Sequence, residues 1–371
     1  MAGIYLHIPF CKQACHYCDF HFSTSLKYRE EVLEAMLKEL NLRKDYLQGA
    51  PLESIYFGGG TPSILGEAEL NLLFEKIYEL HDVKPDAEIT LEANPDDLTE
   101  HKLQELKQTP VNRLSIGIQS FSEEDLVFMN RAHNAVEASR CIELAQAAGF
   151  YNLTIDLIYG SPTTSHEQWA ENIARILDFN IPHISCYCLT VEAKTALAHF
   201  VETGKTKPVD DQQAAQQFQY LMDQLGSSGY DHYEISNFAK LGNYAVHNSN
   251  YWLGKSYLGI GPSAHSYNGE SRQWNVANNS KYRKALSTGE LDFEIEFLNP
   301  AQRYNEMVMT RLRTIWGVQS TDLAEPYRDY FIQQMQPFLA EAQVLESQGC
   351  YVLSPAGRLL ADRIAMEAFW A

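Results

Sequence analysis

The chain has no basic excess. Its 29 Lys and Arg stand against 48 Asp and Glu, a formal net charge of −19. A surface this acidic argues against non-specific binding of nucleic acid or of anionic membrane, both of which need a basic face. Long apolar runs are also missing: no stretch approaches the length of a transmembrane helix, so no stable membrane insertion is expected. The opening residues, Met1 to Phe10, carry neither a basic region nor a long apolar run, so no signal peptide is expected and the location is read as cytoplasmic. There is no low-complexity segment and no repeat beyond a strand–helix rhythm. Cysteine is scarce and odd in number. Of seven, three lie within eight residues, which excludes a disulfide framework and points to metal or redox chemistry. Cys141, Cys186, Cys188 and Cys350 are scattered and read as small buried hydrophobes.

What is present is a core-forming composition, 45% hydrophobic and 12% aromatic over 371 residues, enough for a barrel-sized body and a smaller appendage. Short β-branched or aromatic runs recur, each followed by a helical pattern. They begin at Gly3, Ser54, Glu88, Arg113, Leu153 and His183. Ser165 with Gln168 forms a capping box for the helix after the fifth run. Such alternation predicts parallel strands with crossover helices. Six units within residues 1–230 predict an α/β fold, a partial (β/α)6 barrel, since a full barrel of eight needs about 250 residues. Residues 231–296, rich in Tyr, Asn, Gly and His, are expected to be a connecting region. Residues 297–371 are expected to form a small C-terminal helical, winged-helix-like module. It has six arginines against eight acidic residues, so a DNA-binding role is poorly supported.

Cys11-Lys-Gln-Ala-Cys15-His-Tyr-Cys18 follows the first strand. Three thiolates in one tight loop can hold three irons of a [4Fe–4S] cubane and leave the fourth open. They also suit zinc, with His7, His16, Asp19 or His21 as a fourth ligand, and the cysteines alone do not choose. The later strand ends tip the balance. Gly58-Gly59-Gly60-Thr61-Pro62, Glu92, Gln119 and Asp156 each follow an apolar strand, at the end where barrels place their sites. Four polar ends facing a thiolate loop imply one pocket. Glycines there let backbone approach a ligand closely. No residue stands out as catalytic.

Together these motifs resemble the radical S-adenosylmethionine (SAM) superfamily. They are Tyr5-Leu-His-Ile-Pro-Phe-Cys11, the cysteine loop, Gly58 to Pro62, Leu91-Glu-Ala-Asn-Pro95, Arg113 to Gln119, Asn130-Arg131 and Ile155 to Gly160. Within it the chain resembles the branch that contains oxygen-independent coproporphyrinogen III oxidase. The resemblance implies a [4Fe–4S] cluster on Cys11, Cys15 and Cys18, and SAM chelating the open iron. Tyr5, Gly59, Gly60, Thr61, Glu92, Gln119, Arg131 and Asp156 are then expected to line the SAM site. Arg131, as a planar donor fork, suits a carboxylate; its alternative is a surface ion pair with Glu123 or Asp125.

The oxidase pattern carries a fourth cysteine where this chain has Phe20, and a longer segment before the cluster. His247-Asn-Ser-Asn-Tyr-Trp252 instead is similar to a signature of the haem chaperones of that branch. This implies haem or porphyrin as ligand, with a haem-acceptor protein and an electron donor that the sequence does not identify. The signature makes His247 a candidate haem contact, although its chemistry alone favours a loop histidine packed under aromatics and hydrogen-bonded to backbone. The rivals are a radical enzyme of porphyrin metabolism, abstracting hydrogen with a SAM-derived radical, and a zinc-stapled regulatory protein.

Overall fold

The computed structural model describes residues 1–370. Six parallel strands run side by side in chain order: β1 (Ala2–Ile8), β2 (Leu52–Gly59), β3 (Val83–Ala93), β4 (Arg113–Gln119), β5 (Leu153–Tyr159) and β6 (His183–Cys188). Helices Arg29–Leu42, Glu67–Leu80, Glu100–Leu106, Ala135–Ala147 and His166–Asp178 make the crossovers. The partial (β/α)6 barrel is therefore present. The expected capping box of Ser165 and Gln168 starts the fifth of these helices.

The period-two alternation of each strand divides the layers. Ile4, Leu6 and Ile8, Ile55 and Phe57, Ile89 and Leu91, Leu114, Ile116 and Ile118, and Leu153, Ile155 and Leu157 belong to one buried apolar core shared with the helices. The intervening residues point the other way and are mostly polar: Tyr5 and His7, Ser54 and Tyr56, Glu88 and Glu92, Arg113 and Ser115, Thr154 and Asp156, His183 and Ser185. The concave side of the sheet is thus a chemical interior, while the convex side holds the fold together.

The sheet continues beyond the six strands. β7 (Tyr230–Glu234) and β8 (Asn237–Lys240) extend it past β6. β9 (Tyr257–Ile260), β10 (His265–Tyr267), β11 (Ser271–Asn275) and β12 (Phe293–Phe297) extend it past β1. The order is β12-β11-β10-β9-β1-β2-β3-β4-β5-β6-β8-β7, twelve strands in all. Residues 231–296, expected as a connector, add strands to both flanks. These strands are three to five residues long, and apart from the apolar–acidic alternation of β12 they show no period-two pattern.

The C-terminal residues build a second small core around Val308, Leu312, Phe331, Met335 and Ile364. Helices Pro300–Arg311, Tyr327–Ala340 and Ala361–Glu367 pack with a three-stranded antiparallel sheet of β13 (Val318–Gln319), β14 (Val344–Ser347) and β15 (Cys350–Leu353). Helix Tyr327–Ala340 gives way to Val344–Ser347, which pairs with β15. This module touches both ends of the large sheet. Ile315 N–H donates to Tyr233 O on β7 at 3.0 Å, and Glu306 pairs with Arg272 on β11.

Candidate cofactor site

The loop carrying Cys11, Cys15 and Cys18 is fixed at its base. Cys11 N–H donates to Ser23 O at 3.1 Å, and Ser23 N–H to Pro9 O at 3.0 Å. The glycine loop after β2 locks onto the same base, with Gly60 N–H to Ile8 O at 2.9 Å and Thr61 N–H to Phe10 O at 2.7 Å. Here the glycines earn a specific explanation. A Cβ on Gly59, which sits at φ +103°, would lie 2.6 Å from the His7 ring, and one on Gly60 would lie 2.6 Å from Phe10 O. The expectation that the run serves ligand approach is therefore incomplete, because it also lets the loop pack against the cysteine segment.

The tip of the loop is held by the Asn130-Arg131 turn. Asn130 Nδ2 donates to Ala14 O at 2.7 Å, Gln13 Nε2 to Asn130 O at 2.9 Å, and His16 N–H to Met129 O at 3.0 Å. Arg131 then reaches inward. Its Nη1 lies 3.2 Å from Cys15 Sγ, and its Nη2 donates to Asn94 Oδ1 at 2.7 Å and to Gly117 O at 2.8 Å. The surface ion pair considered for Arg131 does not form. Glu123 instead accepts from Ala135 N–H, and Asp125 is buried against Ser120 and Thr163.

Cys11, Cys15 and Cys18 border one cavity of about 600 Å³ together with Gly59, Gly60, Thr61, Glu92, Gln119, Arg131 and Asp156. Ten of the twelve residues singled out in the sequence thus share one pocket, of a size that suits a small-molecule cofactor. Glu92 accepts from Tyr56 OH at 2.8 Å and from Gly59 N–H at 3.2 Å. Burial, assisted by neighbouring Asp156, pushes its carboxyl up to about 7. Burial likewise pushes Asp156 up to about 6. Two carboxyls held above their usual range beside one cavity are poised to ionise against a cationic ligand. Burial also raises the thiols of Cys11 and Cys18, the latter to about 11.

Two expected residues lie elsewhere. Tyr5 sits one layer beneath the cavity, its hydroxyl donating to His7 Nδ1 at 3.2 Å while His7 Nε2 donates to His21 O at 2.8 Å. His247 lies deeper still, 3% exposed, at the opposite end of the interior. Helix Val246–Trp252 plugs the bottom of the barrel there. Glu88 accepts from the Val246 and His247 N–H groups, each at 3.0 Å. Ser54 Oγ bonds His247 Nδ1 at 2.8 Å, and the imidazole stacks on Tyr56 at 5.0 Å between centroids. Burial, then the nearby Arg113 charge, holds His247 down to about 3, so it is neutral. In this arrangement a porphyrin cannot reach the ring without displacing the helix.

Several cavity residues escaped the sequence reading: Gln13, Tyr17, Asn94, Ser115, Phe22, Tyr187, Cys188 and Ser236. Gln13, Tyr17, Asn94 and Ser115 lie inside the motifs given above, but Tyr187 and Cys188 end β6, where no polar signature marks them, and Cys188, expected as a small buried hydrophobe, is exposed. Phe20 lines the mouth and is 68% exposed.

The donor set fits an iron–sulfur cluster with SAM. One loop supplies three thiols to the cavity rim. Arg131 Nε is buried without a partner and can take a ligand carboxylate, and Glu92 and Asp156 can offset a sulfonium or ammonium charge.

Comparison with known proteins agrees with this geometry. Residues 5–176 match the radical SAM superfamily. The chain is 32% identical to "Heme chaperone HemW" of Bacillus subtilis over 374 residues, covering 98% of each chain. It is 32% identical to the protein of that name from Mycobacterium tuberculosis, covering 98% of this chain and 93% of the other. To that of Escherichia coli it is 37% identical over 71% of this chain and 69% of the other. Among solved structures, coproporphyrinogen III oxidase (HemN) from Escherichia coli superimposes with a TM-score of 0.84. It has 23% identity and covers 99% of this chain and 90% of that one.

Proposed function

Because the chain belongs to the HemW family of the radical SAM superfamily, we propose that it is a haem chaperone: it binds haem and passes it to acceptor proteins. The observation that carries this reading is the 32% identity to a heme chaperone over 98% of both chains. The likeness to the oxidase is one of fold alone.

In this reading Cys11, Cys15 and Cys18 hold the cluster. Arg131 sets its charge environment from Cys15 and presents Nε to the SAM carboxylate. Glu92 and Asp156 take the cationic and hydroxyl-bearing parts of SAM, and Gly59, Gly60, Thr61 and Gln119 complete the wall. When bound, the cluster supplies one-electron chemistry to SAM. The aromatic side chains of Phe20, Phe22 and Tyr187 border the cavity and suit a porphyrin face. His247 serves from below, by supporting Tyr56 and through it Glu92. No helix is long and apolar enough to cross a membrane among the described residues.

The test is anaerobic reconstitution with iron and sulfide, followed by haem titration and by coproporphyrinogen III turnover with SAM and a reductant. Stoichiometric haem binding without decarboxylation is expected. Robust decarboxylation would replace the chaperone reading with the oxidase one.

A further inference from the structure

Strand β12 ends the large sheet, and nothing pairs with its outer edge among the described residues. Its sequence is Phe293-Glu294-Ile295-Glu296-Phe297, and all five residues are exposed, Phe293 by 38%, Ile295 by 42% and Phe297 by 72%. Its hydrogen-bond phase can be read from its flanks. Val276 N–H donates to Asp292 O and Leu298 N–H to Glu270 O, each at 3.0 Å. In an antiparallel ladder the bonded residues alternate. The even-numbered residues of β12 therefore bond to β11, and Phe293, Ile295 and Phe297 turn their N–H and C=O groups outward.

The same three residues share one face of the sheet, opposite Asn275, Gln273 and Ser271. Glu294 and Glu296 occupy the other face, opposite Trp274 and Arg272. Arg272 is already paired with Glu306, and neither Glu294 nor Glu296 has a cation within salt-bridge distance among the described residues. The edge thus offers outward backbone donors and acceptors, a row of large apolar side chains, and two negative charges without an ion-pair partner among the described residues, Glu296 accepting only from the neutral Gln302 Nε2 at 3.0 Å.

This pattern selects its occupant. Two copies of β12 pairing about a two-fold axis would set glutamate opposite glutamate, which is destabilising, on a chain of net charge −19. Charged edges of this kind are how proteins avoid self-pairing. A strand alternating apolar with basic residues meets both faces favourably. We propose that β12 is a docking edge for such a strand from a partner protein, which adds to the sheet as a further strand. The proposal rests on the chaperone reading only for the reason a partner comes; the edge itself is independent of haem. Its position suits that purpose. Phe293 pairs with Asn275. The helix Asn279–Ser287 that follows touches the cysteine segment through Asn279 Oδ1 and His21 Nε2 at 2.7 Å.

The experiment uses the full reconstituted chain and three labelled peptides, followed by fluorescence anisotropy. One peptide alternates lysine and valine, one alternates glutamate and valine, and one has the lysine–valine composition without alternation. Ile295→Pro removes only an outward N–H, because Ile295 does not donate to β11. Preferential binding of the alternating basic peptide is expected, weakened about tenfold or more by Ile295→Pro. The double variant Glu294→Lys, Glu296→Lys should shift preference to the acidic peptide. Haem titration of the same samples separates the two readings: peptide binding without haem binding keeps the docking edge and removes the chaperone. No preference among peptides, or equal binding by Ile295→Pro, overturns the proposal. So does a concentration-dependent dimer in sedimentation that Ile295→Pro abolishes, which would assign the edge to a second copy.

Discussion

His247→Ala separates a structural imidazole from a haem ligand. The ring fills the barrel floor, so its removal leaves a hole of about 60 Å³, costing about 1.5 kcal/mol at about 24 cal/mol per Å³. Ser54, fully buried, loses the partner of its hydroxyl. An orphaned buried hydroxyl costs about 1–3 kcal/mol. The sum, about 2.5–4.5 kcal/mol, is a large fraction of typical domain stability. Urea unfolding of the reconstituted protein should therefore show a clearly lower midpoint. Because Tyr56 stacks on His247 and donates to Glu92, SAM affinity should also weaken several-fold. Haem bound to the intact fraction should keep its absorption maximum, since the imidazole is 3% exposed. Unchanged unfolding together with a lost or displaced haem band would refute this reasoning. It would show that helix Val246–Trp252 swings away and that His247 is an axial ligand after all.

Cys15→Ala should abolish the broad visible absorption of the reconstituted cluster; stoichiometric zinc without iron in anaerobically purified wild type would sink the cluster assignment itself. Arg131→Ala should weaken SAM binding about tenfold or more, from the loss of a charge-assisted contact of about 1.5–3 kcal/mol. Because Arg131 lies 3.2 Å from Cys15 Sγ, the variant should also make the cluster harder to reduce, and an unchanged midpoint in an EPR-monitored titration would contradict that placement. A cationic ligand prefers ionised carboxylates, so with Glu92 near 7 and Asp156 near 6, SAM affinity should fall as pH drops through this range. Calorimetry in buffers of different ionisation enthalpy should then detect proton release at neutral pH, and none would mean both groups are already ionised. Gly60→Ala places a Cβ against Phe10 O and should lower iron content together with stability, by about 1–3 kcal/mol.

The parallel core was legible because its strands are long enough to show their pattern and its crossover helices carry their own start signals, as Ser165 does. The site was legible for a related reason: a polar residue at the end of an apolar strand, as at Glu92 or Asp156, stands out against its neighbours. What stayed hidden was polar chemistry away from strand ends. Arg113 bonds Thr154 and pairs with Glu88 in the floor, and Thr154 continues to His183, which meets Tyr233 at 2.7 Å. Only Arg113 falls within a motif, and nothing in the sequence marks the network as a whole, because its members sit singly at alternate positions of five strands. The flanking strands were hidden by brevity and, β12 apart, by the lack of any alternation. His247 was left between two roles because a histidine among aromatics looks the same in sequence whether it faces a ligand or a barrel floor.

The C-terminal module's grip on both ends of the large sheet bears on the order of assembly. β7 and β11 are joined through Ile315 and Glu306, residues that follow every strand of that sheet in the chain. During synthesis the N-terminal segments emerge first. The cysteine loop, its glycine lock and the Asn130-Arg131 turn all exist before the residues that fasten the sheet's ends together. Cofactor loading can thus precede the fastening. A chain stalled before Glu306 would already hold every residue proposed above to bind the cluster and SAM, on a sheet whose two margins are still free to part.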